Sequence, residues 1–264
     1  MKLRNLLNSI LAGLFAYTLG ACDTVKEENR LIYVRPAEVN RRVLIEDFTG
    51  QFCVNCPTAT EEIEKLQKQY GENNVIAVAI HGGYFGLYTS TPTVTALGTE
   101  ETREYYDRWN IDSQPAGMVN RRGGAGNYTA WAAAIHHELQ EPSPVCISLH
   151  TTFDKATNML QVKVSTLSTQ KLHCKLQLWL TEDCVTAWQL MPDGRPTPEY
   201  IHNNVFRKSI NGTWGTDFIL TESQVETTFT TTINSEWQPA NIYVIAFVYN
   251  QEGIIQATRQ KINK

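Results

Sequence analysis

The sequence predicts an α/β domain followed by an all-β sandwich domain. Near the start, two continuous apolar runs (42–48 and 75–80) flank a segment with helical periodicity, which is the order expected for a parallel βαβ unit. Two prolines within three residues, Pro142 and Pro144, then form a stiff break. Beyond them apolar residues alternate with polar ones, which is typical of half-buried strands. We therefore place the boundary between the two domains at these prolines.

The composition is that of a globular protein, and no nucleic-acid partner is expected. The chain has 264 residues, 42% of them hydrophobic, which suffices for a core in each of two domains. The formal net charge is −4, and acidic and basic residues are interspersed, so no basic block indicates nucleic-acid binding. Six cysteines are too few for a scaffold held together by disulfides. Each cysteine therefore needs its own explanation.

Residues 1–21 predict a lipoprotein signal peptide. Lys2 and Arg4 precede an apolar stretch that is shorter than the roughly 20 residues of a membrane-spanning helix. The stretch ends in Leu19-Gly-Ala-Cys22, which resembles the lipobox of bacterial lipoproteins. We expect cleavage before Cys22 and lipidation of its thiol, which would anchor the mature protein to a membrane. The alternative is an ordinary signal peptide with a chance cysteine.

Residues 22–41 are polar and predict a tether between this anchor and the fold. Lys26, Glu27 and Glu28, close behind the lipidated cysteine, resemble the surface-export signal of some Gram-negative lipoproteins. A solvated linker explains the same residues equally well. The expected localisation is the cell envelope, with a lipid anchor in the outer membrane, and exposure at the cell surface depends on which explanation of the tether holds.

Residues 42–141 carry the pattern of the α/β domain. The helix expected over Thr58–Tyr70 has its glutamates early and its lysines late, which suits the helix dipole, and Gly71 is a natural end. Further expected elements are a loop at 81–96, helices at 100–109 and 129–139, and an extended segment at 115–121.

Residues 145–264 carry the alternating pattern of the sandwich domain. The alternation is strictest over 172–180, where Cys174 falls in line with the leucines and is predicted to be buried. Cys146 and Cys184 complete a group of three cysteines, of which at least one must stay unpaired. A Cys146–Cys174 bridge between neighbouring strands is compatible with the pattern but not dictated by it.

The pair Cys53 and Cys56 lies between a predicted buried strand and a predicted helix, and this context indicates redox chemistry. Free backbone N–H groups at a helix start stabilise an anion, so the Cys53 thiol is expected to ionise readily. Cys56 can then close an intramolecular disulfide, and Pro57 fits the first helical turn. Half of a zinc site is the alternative, but no second pair of ligands follows, and a structural disulfide would close too short a loop to stabilise much.

Residues 43–57 resemble the first strand and active-site loop of thioredoxin-like proteins. The resemblance implies a thioredoxin-like α/β domain and places Asp47 where a buried acid helps to deprotonate the resolving cysteine, here Cys56. A carboxylate at the end of a strand, without a catalytic role, is the equal alternative. Glu46 points to the opposite face and is expected to be structural.

Gln114-Pro115-Ala-Gly resembles the cis-proline segment of the same family, which implies that Gln114 and Pro115 help to bind the substrate backbone. The distance from Cys53 to Pro115 exceeds that of a minimal thioredoxin, so residues 81–110 are interpreted as an insertion. His81 follows the second strand, where it could line the substrate groove or tune Cys53, or could be a plain loop residue.

The resemblance extends into the second domain. Residues 200–207 and 211–215 resemble outer-membrane lipoproteins that join a thioredoxin-like domain to a β-sandwich. His202, Asn203 and Arg207 form either a binding cluster or a loop held by its own hydrogen bonds.

These patterns together predict a membrane-anchored thiol–disulfide oxidoreductase that acts on exported proteins with thiols or disulfides. No cofactor and no metal are expected. The alternative is a surface binding or adhesion lipoprotein that uses the thioredoxin fold only as a scaffold.

Overall fold

The computed structural model describes residues 39–262, and β-strands dominate this part of the chain, with 47% strand and 18% helix. The helices are α1 (Cys56–Tyr70), α2 (Glu100–Trp109) and α3 (Trp131–Gln140), with 3-10 turns at Tyr128–Ala130 and Pro239–Asn241. The strands are β1 (Val39–Asn40), β2 (Val43–Thr49), β3 (Val75–His81), β4 (Ala116–Val119), β5 (Pro142–Ser143), β6 (Val145–Asp154), β7 (Met159–Ser168), β8 (Leu172–Glu182), β9 (Val185–Leu190), β10 (Pro196–His202), β11 (Val205–Ser209), β12 (Thr216–Leu220), β13 (Val225–Thr232), β14 (Ile242–Asn250) and β15 (Gly253–Lys261).

The predicted signal peptide, Cys22 and nearly all of the predicted tether lie outside the described residues. Within residues 39–262, no helix is both long enough and apolar enough to cross a membrane.

One sheet of eight strands runs through the molecule and overturns the predicted fold class. Seven strands follow in the order β15-β14-β8-β11-β3-β2-β4, and β12 pairs with the first half of β8. Strands β2 and β3 are parallel, as the βαβ pattern predicts. However, β11 from the second half of the chain pairs with β3 on one side and with β8 on the other. The prediction of an α/β thioredoxin-like domain followed by a separate all-β sandwich is therefore wrong: the described fold is mainly β.

The physical reason for this error lies in β11. Periodicity along the chain reports which face of a strand is buried, but not which distant strand lies beside it. Pro142 and Pro144 do follow the end of α3, so the break in the pattern is real. The chain nevertheless returns, and Val205 of β11 pairs with Ala79 of β3.

A second sheet, in the order β13-β7-β6, packs on the part of the large sheet formed by β8, β14 and β15. Its apolar side chains, among them Val162 and Val164, meet Leu176, Leu178 and Leu180 of β8 in one buried cluster. The strict alternation predicted for 172–180 is thereby explained, because one set of side chains faces this cluster. Strand β8 also buries its other face, where Trp179 is fully buried in a different cluster.

Strand β2 lies inside the molecule, and all seven of its residues are buried. Val43 and Ile45 face α1 and α3, whereas Leu44 and Phe48 face the aromatic cluster that includes Tyr105 of α2. A strand that is covered on both faces has a continuous apolar sequence, and this feature predicted β2 as a buried strand.

The predicted helices are confirmed, with small differences at their ends. Helix α2 has the predicted bounds, and Thr99 caps it with a reciprocal side-chain bond to Thr102. Helix α1 ends at Gly71, whose φ of 90° suits glycine.

The three cysteines of the second half are unpaired. Cys174 is buried, as predicted, and its burial raises the pKa of the thiol to about 11, so this group stays protonated at neutral pH. Cys146 and Cys184 are exposed.

Candidate functional site

Cys53 and Cys56 form a disulfide in the turn that leads from β2 into α1. Cys56 is the first residue of α1, and Pro57 lies in its first turn, where the missing N–H costs nothing. Asn55 precedes the helix without a side-chain cap, and the backbone N–H of Cys56 donates to the carbonyl of Cys53 at 3.3 Å. Each cysteine is only 2% exposed.

The hairpin β9–β10 packs on this turn. It forms a two-stranded sheet of its own, separate from the large sheet. Gln189 Nε2 donates to the carbonyl oxygen of Cys53 at 3.1 Å, and the backbone N–H of Leu190 donates to the carbonyl of Gln51 at 2.8 Å. The rings of Phe52 and Trp188 lie 4.9 Å apart. No local pattern predicts that the hairpin covers the cysteines, because the hairpin lies far from them along the chain.

Asp47 is a buried carboxyl on the face of β2 that α1 covers. It is 2% exposed, and its Oδ1 atom has no hydrogen-bond partner within residues 39–262. Burial raises the pKa of Asp47 to about 7. Asp47 borders a cavity of about 310 Å³. A smaller cavity of about 20 Å³ borders Cys56, and the two cavities have Thr60, Ala79 and Asn203 in common.

Glu46 differs from its neighbour Asp47 because it is fully paired. It is completely buried, and its two carboxylate oxygens accept bonds of 2.9 and 2.8 Å from Nε and Nη2 of Arg121. Its carboxylate thus serves a structural ion pair on the opposite face of β2.

His81 and His202 meet beside the smaller cavity. His81 Nε2 and His202 Nδ1 lie 3.3 Å apart, and both rings are buried. Burial lowers the pKa of His202 to about 4 and lowers the pKa of His81 well below its usual value, with the neighbouring His202 adding to the effect on His81. Both rings are therefore neutral at neutral pH, so one ring donates to the other. Sequence reasoning named each histidine but missed the pair.

Gln114 and Pro115 follow α2 and precede β4, and Gln114 is linked to the cysteine turn by hydrogen bonds. The Gln114-Pro115 peptide bond is cis, and Pro115 is buried. Gln114 Oε1 accepts from the backbone N–H of Phe85 at 3.2 Å, and the carbonyl of Phe85 accepts from the N–H of Phe52 at 2.9 Å. Gln114 therefore reaches the turn through Phe85.

Of His202, Asn203 and Arg207, which the sequence suggested as a cluster, the first two line the smaller cavity. Asn203 also accepts from the backbone N–H of Cys184, whereas Arg207 forms an ion pair of 2.7 Å with Glu182. Within the described part of the chain, no group of three or more histidine, cysteine or acidic side chains could hold a metal ion.

Comparison with known proteins gives one family and a likeness of fold. The family described as outer membrane protein Omp28 matches residues 102–264. Two solved structures resemble the chain: HBP35 of Porphyromonas gingivalis, with a TM-score of 0.67, 16% identity and coverage of 87% of this chain and 77% of that one; and AGR_C_4864 from Agrobacterium tumefaciens, with a TM-score of 0.53, 15% identity and coverage of 86% and 97%. At such identities the likeness concerns the fold alone. No curated protein matches the sequence.

Proposed function

Because the chain belongs to the Omp28 family of outer membrane proteins, we propose that it acts at that membrane as a thiol–disulfide oxidoreductase on exported proteins. Its localisation at the outer membrane follows from the family. The proposal adds a lipid anchor on Cys22 and the redox pair Cys53 and Cys56. The observation that carries it is the Cys53–Cys56 disulfide at the start of α1, where Cys56 shares a cavity with the buried His81 and His202, and Asp47 borders the adjoining cavity.

In the reduced protein, the Cys53 thiolate attacks one sulfur of a substrate disulfide. A mixed disulfide forms, and the other substrate sulfur leaves as a thiolate. Cys56 then loses its proton and attacks Cys53, which releases the second substrate thiolate and restores the Cys53–Cys56 disulfide. Two electrons pass from the cysteine pair to the substrate. The reverse sequence transfers the disulfide to a reduced substrate.

Asp47 is the group proposed to take the proton from Cys56. A general base works best when its pKa lies near the operating pH, and burial brings the pKa of Asp47 to about 7. The unpartnered Oδ1 atom is free to accept a proton. His81, Gln114 and Pro115 support the turn in this proposal, since His81 is bonded to His202 and Gln114 is bonded through Phe85.

A second candidate function is a surface binding protein in which the disulfide is structural. The observation that favours it is the burial of both cysteines beneath the β9–β10 hairpin. Under the oxidoreductase proposal the hairpin must move before a substrate can reach Cys53, because this residue is only 2% exposed and a second disulfide cannot approach it.

Disulfide exchange assays separate the two functions. We expect the purified protein to accelerate both the reduction of insulin by dithiothreitol and the oxidative refolding of a reduced protein. Cys53→Ala should abolish both activities, because it removes the nucleophile. Cys146→Ala is the matched control, since it removes an exposed thiol elsewhere in the fold and should leave both rates unchanged. Equal rates for wild type and Cys53→Ala in both assays would overturn the enzyme proposal and favour a binding role.

A further inference from the structure

A pocket on another part of the molecule has the features of a ligand site. It has a volume of about 670 Å³, which lies within the range of small-molecule sites, and it shares no residue with the cavities beside Asp47 and Cys56. Its walls come from the end of α2, the turn that follows β4, the starts of β8 and β12, and the turn between β14 and β15. It includes the side chains of Trp109 and Tyr249.

Arg121 brings a buried cation to this pocket. Its side chain is 3% exposed and bonded to Glu46 through Nε and Nη2. The guanidinium carbon lies 4.6 Å from the centre of the Tyr249 ring and 5.4 Å from that of Trp109. The remaining nitrogen, Nη1, has no partner among residues 39–262, and neither has the indole Nε1 of Trp109. Buried donors normally have a hydrogen-bond partner, so these two unsatisfied donors on side chains of one pocket indicate that a ligand supplies an acceptor.

The charges around the pocket favour an anion. Lys175 is paired with Asp217 at 3.0 Å, and Arg121 is paired with Glu46. Arg108 forms no ion pair within the described part of the chain, and its guanidinium carbon lies 4.9 Å from the centre of the Trp109 ring. An uncompensated cation therefore stands beside the aromatic side chains.

We propose that this pocket binds a small aromatic carboxylate. The apolar ring of the ligand packs against Trp109 and Tyr249, and its carboxylate is neutralised by Arg108. A small rearrangement of the pocket side chains on binding brings a carboxylate oxygen to the unpartnered donors of Trp109 and Arg121. This site is independent of the chemistry proposed for Cys53 and Cys56.

Binding of 2-naphthoate tests the proposal, with 2-naphthylmethylamine as the cationic counterpart. Calorimetry should show saturable binding of the naphthoate at millimolar concentrations and none of the amine. Arg108→Gln, an exposed substitution, should weaken binding about tenfold because a charged contact is lost. Arg103→Gln, on the same helix but outside the pocket, is the matched control and should leave affinity unchanged.

The indole resonance of Trp109 gives a second measurement. In ¹⁵N-labelled protein, naphthoate should shift the Trp109 Nε1–H signal downfield, since that donor gains an acceptor. Trp109→Phe assigns the signal by its disappearance. The proposal is overturned by absent or non-saturable binding, by equal binding of the amine, by unchanged affinity in Arg108→Gln, or by a Trp109 signal that stays fixed while naphthoate saturates.

Discussion

Two neighbouring acids, Glu46 and Asp47, lie on opposite faces of strand β2, and they differ in whether their oxygens have hydrogen-bond partners. On one face Glu46 is buried and completely paired by Arg121 within a cluster of aromatic rings. On the other face Asp47 is equally buried, and its Oδ1 atom has no partner in the described residues. The side that lacks partners is also the side toward α1, whose first residue is Cys56.

This difference separates structural acids from candidates for chemistry. A buried carboxylate that is satisfied by a guanidinium stays charged and locks a local geometry. A buried carboxyl without a cation has a raised pKa and can exchange a proton near neutral pH. Burial alone does not distinguish the two acids, whereas the pairing of their oxygens does.

The largest effect on stability is expected when the ion pair between Arg121 and Glu46 is removed. Arg121→Met leaves Glu46 buried without a cation, so we expect the free energy of unfolding to fall by about 3–5 kcal/mol. Urea denaturation followed by circular dichroism measures the change.

The double variant Glu46→Gln/Arg121→Met is the control for that loss. It removes the unpaired charge of Glu46 as well, so this variant should regain most of the stability lost in Arg121→Met. A double variant as unstable as the single one would show that the arginine acts through packing rather than through the ion pair.

A smaller effect, of opposite sign, is expected on the unpaired face. The unfolded chain releases the Asp47 proton near pH 4, whereas the folded protein holds it until about pH 7. The free energy of unfolding therefore falls between these values as pH rises. Asp47→Asn removes this dependence, so its stability relative to wild type should grow from near zero below pH 4 to about 2–4 kcal/mol above pH 7.

Parallel denaturation series of wild type and Asp47→Asn over this pH range measure the difference. Glu46→Gln tests whether the pH dependence belongs to Asp47. Because the Glu46 carboxylate is paired with Arg121, this substitution should not stabilise the protein at neutral pH. A constant difference between wild type and Asp47→Asn at all pH values would contradict the raised pKa.

The smallest effect concerns the cover over the cysteines. Trp188→Ala removes the ring contact with Phe52 and should ease displacement of the β9–β10 hairpin. We expect the Cys53–Cys56 disulfide to be reduced by dithiothreitol about tenfold faster, followed as thiol release under native conditions. Arg195→Gln, in the exposed turn of the same hairpin, is the control and should not change the rate. Equal rates in all three proteins would mean that the hairpin does not limit access.

Local features of the site were predictable from the sequence, and long-range ones were not. Asp47, Cys53 and Cys56 lie within ten residues of one another, on a strand, a turn and a helix that each have a local signature. The partnership of His81 with His202 arises from the way strands of the two halves of the chain come together, so neither histidine carries a local sign of it. Gln189 and Trp188 escaped notice for the same reason.

The same limit explains why local elements were right while the fold class was wrong. The bounds of α2 and the end of α1 at Gly71 depend on capping and periodicity, and both are determined by residues that are close in sequence. The membership of β3 and β8 in one sheet depends on β11, which touches both.

The position of β11 has a consequence for the order of synthesis. Until β11 has left the ribosome and crossed the inner membrane, β3 presents an open, apolar edge on the side that β11 will fill. Such an edge is a template for pairing with other chains. The first half of this chain is therefore an incomplete sheet until residues 205–209 are available to pair with β3.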